Sequence, residues 1–126
     1  MQKESIILHQ KIVEDIQEYI NQNIQHRKIT ACEVCKLSGY SRFYMHRIFR
    51  QHTGQSILQY INNARMKKIE IELLHSDKKI AEIAIDFGYL TISDLTKRFK
   101  KRYGMPPSLF RKLHTSNITF SDSVDS

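Results

Sequence analysis

Apolar residues recur along nearly the whole chain at spacings of three and four, the period of a helix with one buried face. Ile6, Val13, Ile16, Ile20 and Ile24 predict a first helix. Thr30, with Glu33 three residues later, has the form of a capping box that opens a short second helix. Ser41 caps a third. Ser56 caps a long fourth that runs to about Ser76. A short fifth spans about Ile80 to Phe87, Thr91 with Asp94 caps a sixth, and Pro107 starts a short last one. The few glycines and prolines fall between these stretches, at Gly39, Gly54, Gly88, Gly104, Pro106 and Pro107. The expected class is all-α, with about seven helices.

An internal repeat organises these helices. Cys35-Lys36-Leu37-Ser38-Gly39-Tyr40 matches Ala84-Ile85-Asp86-Phe87-Gly88-Tyr89, and further on Phe49-Arg50 with Gly54 matches Phe99-Lys100 with Gly104. Each copy is a short helix, a glycine turn and a second helix. A small residue four before the glycine lets the two helices cross closely, and the glycine takes the positive φ that a tight turn needs. This is the helix-turn-helix pattern, whose second helix enters a major groove.

The fourth helix changes its buried face half-way along. At 100° per residue Ile57, Tyr60, Ile61 and Ala64 share one side, and Met66, Ile69 and Leu73 nearly the opposite one. A helix in one core keeps one stripe, so this one serves two cores in succession. The organisation expected is an N-terminal helix-turn-helix unit over 1–55, a rigid connector helix over 56–76, a C-terminal helix-turn-helix unit over 77–113 and a mobile tail over 114–126. A helix of roughly 20 residues is about 30 Å long. One turn of DNA is about 34 Å, so one chain can present both second helices to successive major-groove faces.

Charge sharpens the picture. The chain has 126 residues, 20 Lys and Arg against 13 Asp and Glu, and a net charge of +7. Arg42, Arg47, Arg50, Arg65, Lys67 and Lys68 form one basic block without an acid. Lys97, Arg98, Lys100, Lys101, Arg102, Arg111 and Lys112 form another, and an acidic stretch separates them. Two such blocks suit two anion-binding surfaces, or two solvated helix faces. Within the first block Met45, Ile48 and Phe49 face inward, while Arg42, Phe43, His46, Arg47 and Arg50 are left for DNA. Arg matches a guanine edge, and Phe a thymine methyl. In the second unit Leu95, Phe99 and Tyr103 face inward, and Ile92, Ser93, Thr96, Lys97 and Lys100 form the groove face. Asp94 is a helix-capping residue, since a carboxylate beside phosphates costs affinity. This unit is expected to make mostly phosphate contacts.

Other chemistry is thinly represented. Cys32-x-x-Cys35 has no second Cys pair and lies where a helix pair needs small residues, so packing outweighs zinc or redox chemistry. The six His are scattered, and there is no phosphate-binding glycine loop and no nucleophile elbow. The basic blocks lack the carboxylates that a nuclease needs to hold metal. No enzyme activity, cofactor or metal is expected. No apolar run approaches the roughly 18 residues of a membrane span, and the N-terminus lacks a secretory signal. The composition fits a soluble, cytoplasmic protein.

Residues 10 to 112 resemble the AraC/XylS-type transcription regulators, and are most similar to their stand-alone MarA, SoxS and Rob group. The resemblance is carried by SGYSRFYMHRIFRQHTGQSILQYI and by KIAEIAIDFGYLTISDLTKRFKKRYGMPPSLFR. It implies a bacterial, monomeric activator that binds a degenerate duplex site of about two turns and recruits RNA polymerase. Phe43, His46 and Arg47 fall where these relatives carry a Trp, Gln and Arg that meet DNA. Ile92, Ser93, Asp94, Thr96 and Lys97 fall where they carry Gln, Gln, Thr, Thr and Arg. The chain has no room for the small-molecule effector domain of larger members. Two alternatives remain: a sequence-tolerant architectural DNA-binding protein, and a helical protein-interaction module.

Overall fold

A computed structural model of the protein describes residues 2–25 and 29–115. Seven helices and no strand occur among these residues. They are α1 (Gln2–Asn23), α2 (Ala31–Ser38), α3 (Arg42–Thr53), α4 (Ile57–His75), α5 (Ile80–Asp86), α6 (Ile92–Tyr103) and α7 (107–115). Two compact units divide between Arg65 and Met66, within α4.

The local signals work as the sequence predicts. The Thr30, Ser41 and Thr91 hydroxyls accept from the backbone N–H of Glu33, Tyr44 and Asp94 at 3.1, 3.2 and 3.1 Å. Each occupies one of the donors that a helix start leaves orphaned. At Ser56 the cap is reciprocal. Its hydroxyl accepts from Gln59 N–H, and the Gln59 side chain accepts from Ser56 N–H. That capping box was legible as Ser-x-x-Gln. At Thr30 the Glu33 carboxylate accepts instead from the Tyr19 hydroxyl at 2.6 Å, tying α2 to α1. Gly39 and Gly88 hold φ of 78° and 83°, closing the turn of each repeat.

The first unit buries Val13, Ile16 and Ile20 of α1, and Ile24 just after it, against Val34, Cys35, Met45, Ile48, Phe49, Ile57 and Ile61. Ile6 departs from the expected stripe. It is 55% exposed, as are its neighbours Ile7 and Leu8 by similar amounts, so among residues 6–23 it is the part of α1 from Ile12 onward that joins the core. The His9 ring bonds the Tyr44 hydroxyl, fastening α1 to α3.

The second unit buries Met66, Ile69 and Leu73 of α4 with Ile83, Ala84, Phe87, Leu95, Phe99 and Phe110. The apolar stripe of α4 thus changes face as predicted. Ile57 and Ile61 serve the first core, and Met66, Ile69 and Leu73 the second. Tyr103 is half-buried rather than fully inward. It stacks on Phe99 at 4.3 Å and donates to the Glu70 carboxylate at 2.9 Å. Burial and that bond push its phenol above its ordinary pKa.

Arg111 does not join the basic surface assigned to its block. Its guanidinium donates to one carbonyl in the last turn of α4 and two in the segment that follows it: Nε to Leu73 at 2.9 Å, Nη1 to Lys78 at 2.6 Å and Nη2 to Ser76 at 3.3 Å. A helix end leaves such carbonyls unpaired, and a rigid planar fork suits several at once. The last helix runs to residue 115, and residues 116–126 of the expected tail lie outside the described residues.

Two stability tests follow from these cores. Phe99→Ala removes a wholly buried ring and is expected to cost about 3 to 5 kcal/mol, read as lost helicity and a lowered midpoint in urea; an unchanged midpoint contradicts the second core. Arg111→Ala is expected to cost about 2 to 3 kcal/mol, with Arg111→Lys recovering only part of it. Full recovery by Lys shows that charge, rather than the fork, matters.

Candidate nucleic-acid interface

The turn that aims each second helix depends on one small side chain. Cys35 and Ala84, each four residues before its turn glycine, are 1% and 2% exposed. A larger residue there would hold the helix pair apart. Gly39 has nothing within 4 Å of where a Cβ would stand, so its requirement is conformational rather than steric.

Beyond the turn, α3 divides into two faces. Met45, Ile48 and Phe49 are buried, each at 1% exposure or less. Arg42, Phe43, Arg47 and Arg50 are exposed, and Phe43 is 79% so. An apolar ring that exposed contributes nothing to the core. His46 is half-buried at the border of the two faces.

The α6 helix repeats this division fifty residues on. Leu95 and Phe99 are wholly buried. Ile92, Ser93, Lys97 and Lys100 are exposed, and Thr96 is half-buried. Arg98, Lys101 and Arg102 are also exposed, so the cationic surface is wider than the groove face read from the sequence. Lys100, Lys101 and Arg102 lie in the last turn of α6, where the helix dipole favours cations. Asp94 is exposed in the first turn, where its N–H is taken by Thr91. Two residues escaped sequence reasoning. Leu90, just before the cap, is 92% exposed, and only its place between a turn glycine and a cap residue hints at this. Arg65 was counted with the basic block but is 5% exposed, so its charge does not reach the surface in the way the block implied.

Both α3 and α6 therefore present cations opposite a buried face that fixes their rotation. Arg and Lys on such a face neutralise phosphates, and Arg can bond a guanine edge.

The comparisons with known proteins meet this geometry. Residues 34–113 match the family described as a helix-turn-helix domain. The chain is 33% identical over 103 residues to the regulatory protein SoxS of Escherichia coli K12, covering 82% of this chain and 95% of that one. The chain belongs to the AraC/XylS-type helix-turn-helix family. The multiple antibiotic resistance protein MarA of Salmonella typhimurium is 30% identical over 99 residues, covering 79% of this chain and 77% of that one. Among solved structures, the C-terminal domain of AraT, a response regulator of Geobacillus stearothermophilus, aligns with a TM-score of 0.76 at 29% identity, over 81% of this chain and 84% of that one. The DNA-binding domain of AdpA, solved with a target DNA, shares the fold at a TM-score of 0.77 and 20% identity, over 83% and 94%. Membership of this AraC/XylS-type family makes the protein a DNA-binding transcription regulator rather than an enzyme. No helix of the described residues is long and apolar enough to cross a membrane.

The cysteine pair fits this reading. Cys35 is buried and Cys32 exposed. Burial pushes the Cys35 thiol up, away from the thiolate that a metal or an oxidant needs, though the charge of Arg42 opposes the shift. Among the described residues no cluster of three His, Cys, Asp or Glu is placed to hold a metal. A thiol reagent is therefore expected to modify Cys32 quickly in the folded protein, and Cys35 only after denaturation. Rapid modification of both without denaturant contradicts the packing role of Cys35.

Proposed function

We propose that the protein activates transcription as a monomer, by inserting α3 and α6 into successive major-groove faces of one duplex and recruiting RNA polymerase. The observation that carries this reading is the doubling of one device. At positions fifty apart, a helix buries an aromatic ring, Phe49 or Phe99, and turns a cationic face outward. In α3, Arg42, Phe43, His46, Arg47 and Arg50 form the DNA surface. Arg47 is the principal base reader, and the half-buried His46 adjusts it from the border of the face. In α6, Ile92, Ser93, Thr96, Lys97 and Lys100 form the corresponding surface. Lys97 and Lys100 hold phosphates. Activation and polymerase recruitment rest on the resemblance to the stand-alone members of the family.

Selection of binding sites from random duplexes tests this reading, followed by two variants measured on selected and random DNA. Arg47→Ala is expected to weaken binding to the selected duplex and relax preference at one position by about 1 to 3 kcal/mol. Lys100→Ala is expected to weaken all sequences alike and to lower the salt slope by about one. If no sequence is enriched, and specific and random duplexes bind alike, the protein is an architectural binder rather than a sequence-specific regulator. If the two variants behave identically, the division between base reading and phosphate holding is wrong. A duplex with a single half-site is expected to bind far more weakly than one with two.

A further inference from the structure

The two recognition helices differ at the end where a helix meets base edges. The first turn of α3 opens on Arg42. Fifty residues on, the first turn of α6 opens on Ile92, followed by Ser93 and Asp94, and has no cation before Lys97. Ile92 is 48% exposed and Leu90 is 92% exposed. Neither side chain belongs to the second core. Leu90 stands one residue before the Thr91 cap, where an apolar residue often folds back onto the fourth residue of the helix. That residue, Leu95, is instead wholly buried in the core while Leu90 stays in solvent. Two large apolar side chains thus flank the cap of a helix whose remaining outward face is basic: Lys97, Lys100 and Lys101 are all exposed.

This chemistry selects among base edges. Guanine offers two acceptors in the major groove, and thymine offers a methyl group. Ile92 has no donor for guanine. The exposed carboxylate of Asp94 is an acceptor and opposes guanine O6 and N7. A thymine methyl, in contrast, loses water against Ile92. The lysines further along α6 supply the charge that holds the same duplex by its phosphates. Resting on the DNA-binding reading above, we infer that Ile92, flanked by Leu90, reads thymine methyl groups. The half-site facing α6 is then recognised by apolar contact, while the half-site facing α3 is recognised by arginine donors.

Removing the methyl tests this directly. The probe is the duplex selected from random sequence, with thymines replaced by deoxyuracil in one half-site at a time. The half-site facing α6 is the one whose preferences survive in Arg47→Ala. Pairing is unchanged by this replacement, and only the methyl is lost. Burial of one such group corresponds to about fourfold in affinity. Deoxyuracil in the α6 half-site is expected to weaken binding by about that factor for each methyl in contact. Ile92→Ala is expected to bind the thymine duplex more weakly, and to lose the difference between thymine and deoxyuracil at one position. The variant is expected to fold, since Ile92 lies outside the core and Ala favours helix; circular dichroism checks this. Equal affinity for the two duplexes, with sequence preference intact, overturns this inference alone, as does a thymine preference that survives in Ile92→Ala or a selected α6 half-site without thymine. Absence of any sequence preference on the unmodified duplexes overturns the DNA-reading proposal itself, and this inference with it.

Discussion

The burial of one aromatic ring on the inner side of each recognition helix is the contact on which the rest depends. Helices α3 and α6 are 12 residues long and carry several like charges, so neither would persist alone in water. Phe49 and Phe99, both without exposed surface, hold them in place. Phe49 meets the Tyr60 ring edge-on at 5.5 Å, and Phe99 meets Phe110 in the same way at 5.3 Å. Fixing that ring also fixes the rotation of the helix about its own axis. The outward set then follows from the period of 3.6 residues. A change that loosens the ring would therefore affect binding without touching a DNA-facing residue.

Much of this was readable because the repeat constrains both copies at once. The Cys35 and Ala84 positions, the turn glycines, and the Ser41 and Thr91 caps are local requirements, which a local pattern states fully. The stripe change in α4 was equally plain, since Ile61 and Met66 cannot share a face. Three features were less legible, each for a reason that lies outside local sequence. Ile6 has helical spacing, but spacing does not say where the core beneath a helix ends. Arg111 sits among basic residues, and only the folded chain brings the end of α4 within reach of its guanidinium. Glu33 has the spacing of a capping residue, yet its carboxylate accepts a bond from Tyr19, fourteen positions earlier. Side chains with a choice of partners are decided by tertiary contacts, which spacing does not encode.

The same distinction corrects the reading of charge. Arg65 is buried beside Asn62, to which it donates at 3.2 Å, and Arg111 is committed to backbone carbonyls. Lys78 pairs with Asp86 at 3.1 Å and with Glu72 at 3.8 Å, and these partners raise its pKa. Such residues count fully toward net charge but little toward an anion-binding surface. Of the two blocks, Arg42, Arg47 and Arg50 on α3 and Lys97, Arg98, Lys100, Lys101 and Arg102 on α6 remain outward, joined by Lys67 on α4 and Lys112 on α7. The outward charge is thus smaller than the two sequence blocks suggest by at least Arg65 and Arg111.

In the proposed mode of binding the two helices would carry different kinds of information. Phosphate contacts set register, and base contacts set sequence. An arginine-led helix such as α3 can do both, because its guanidinium reaches either an edge or a phosphate. In α6 the residue types are divided along the axis: Ile92 and Ser93 lie at the tip, and the cations begin at Lys97 and continue to the last turn. On the proposed reading the tip could be exchanged without disturbing the grip on phosphate. A repeated unit with a fixed inner face allows this independence. Phe99 and Leu95 hold α6 from its buried side and Ile92 lies outside that core, so under the proposed function preference at the second half-site would change by single outward residues while the fold is retained.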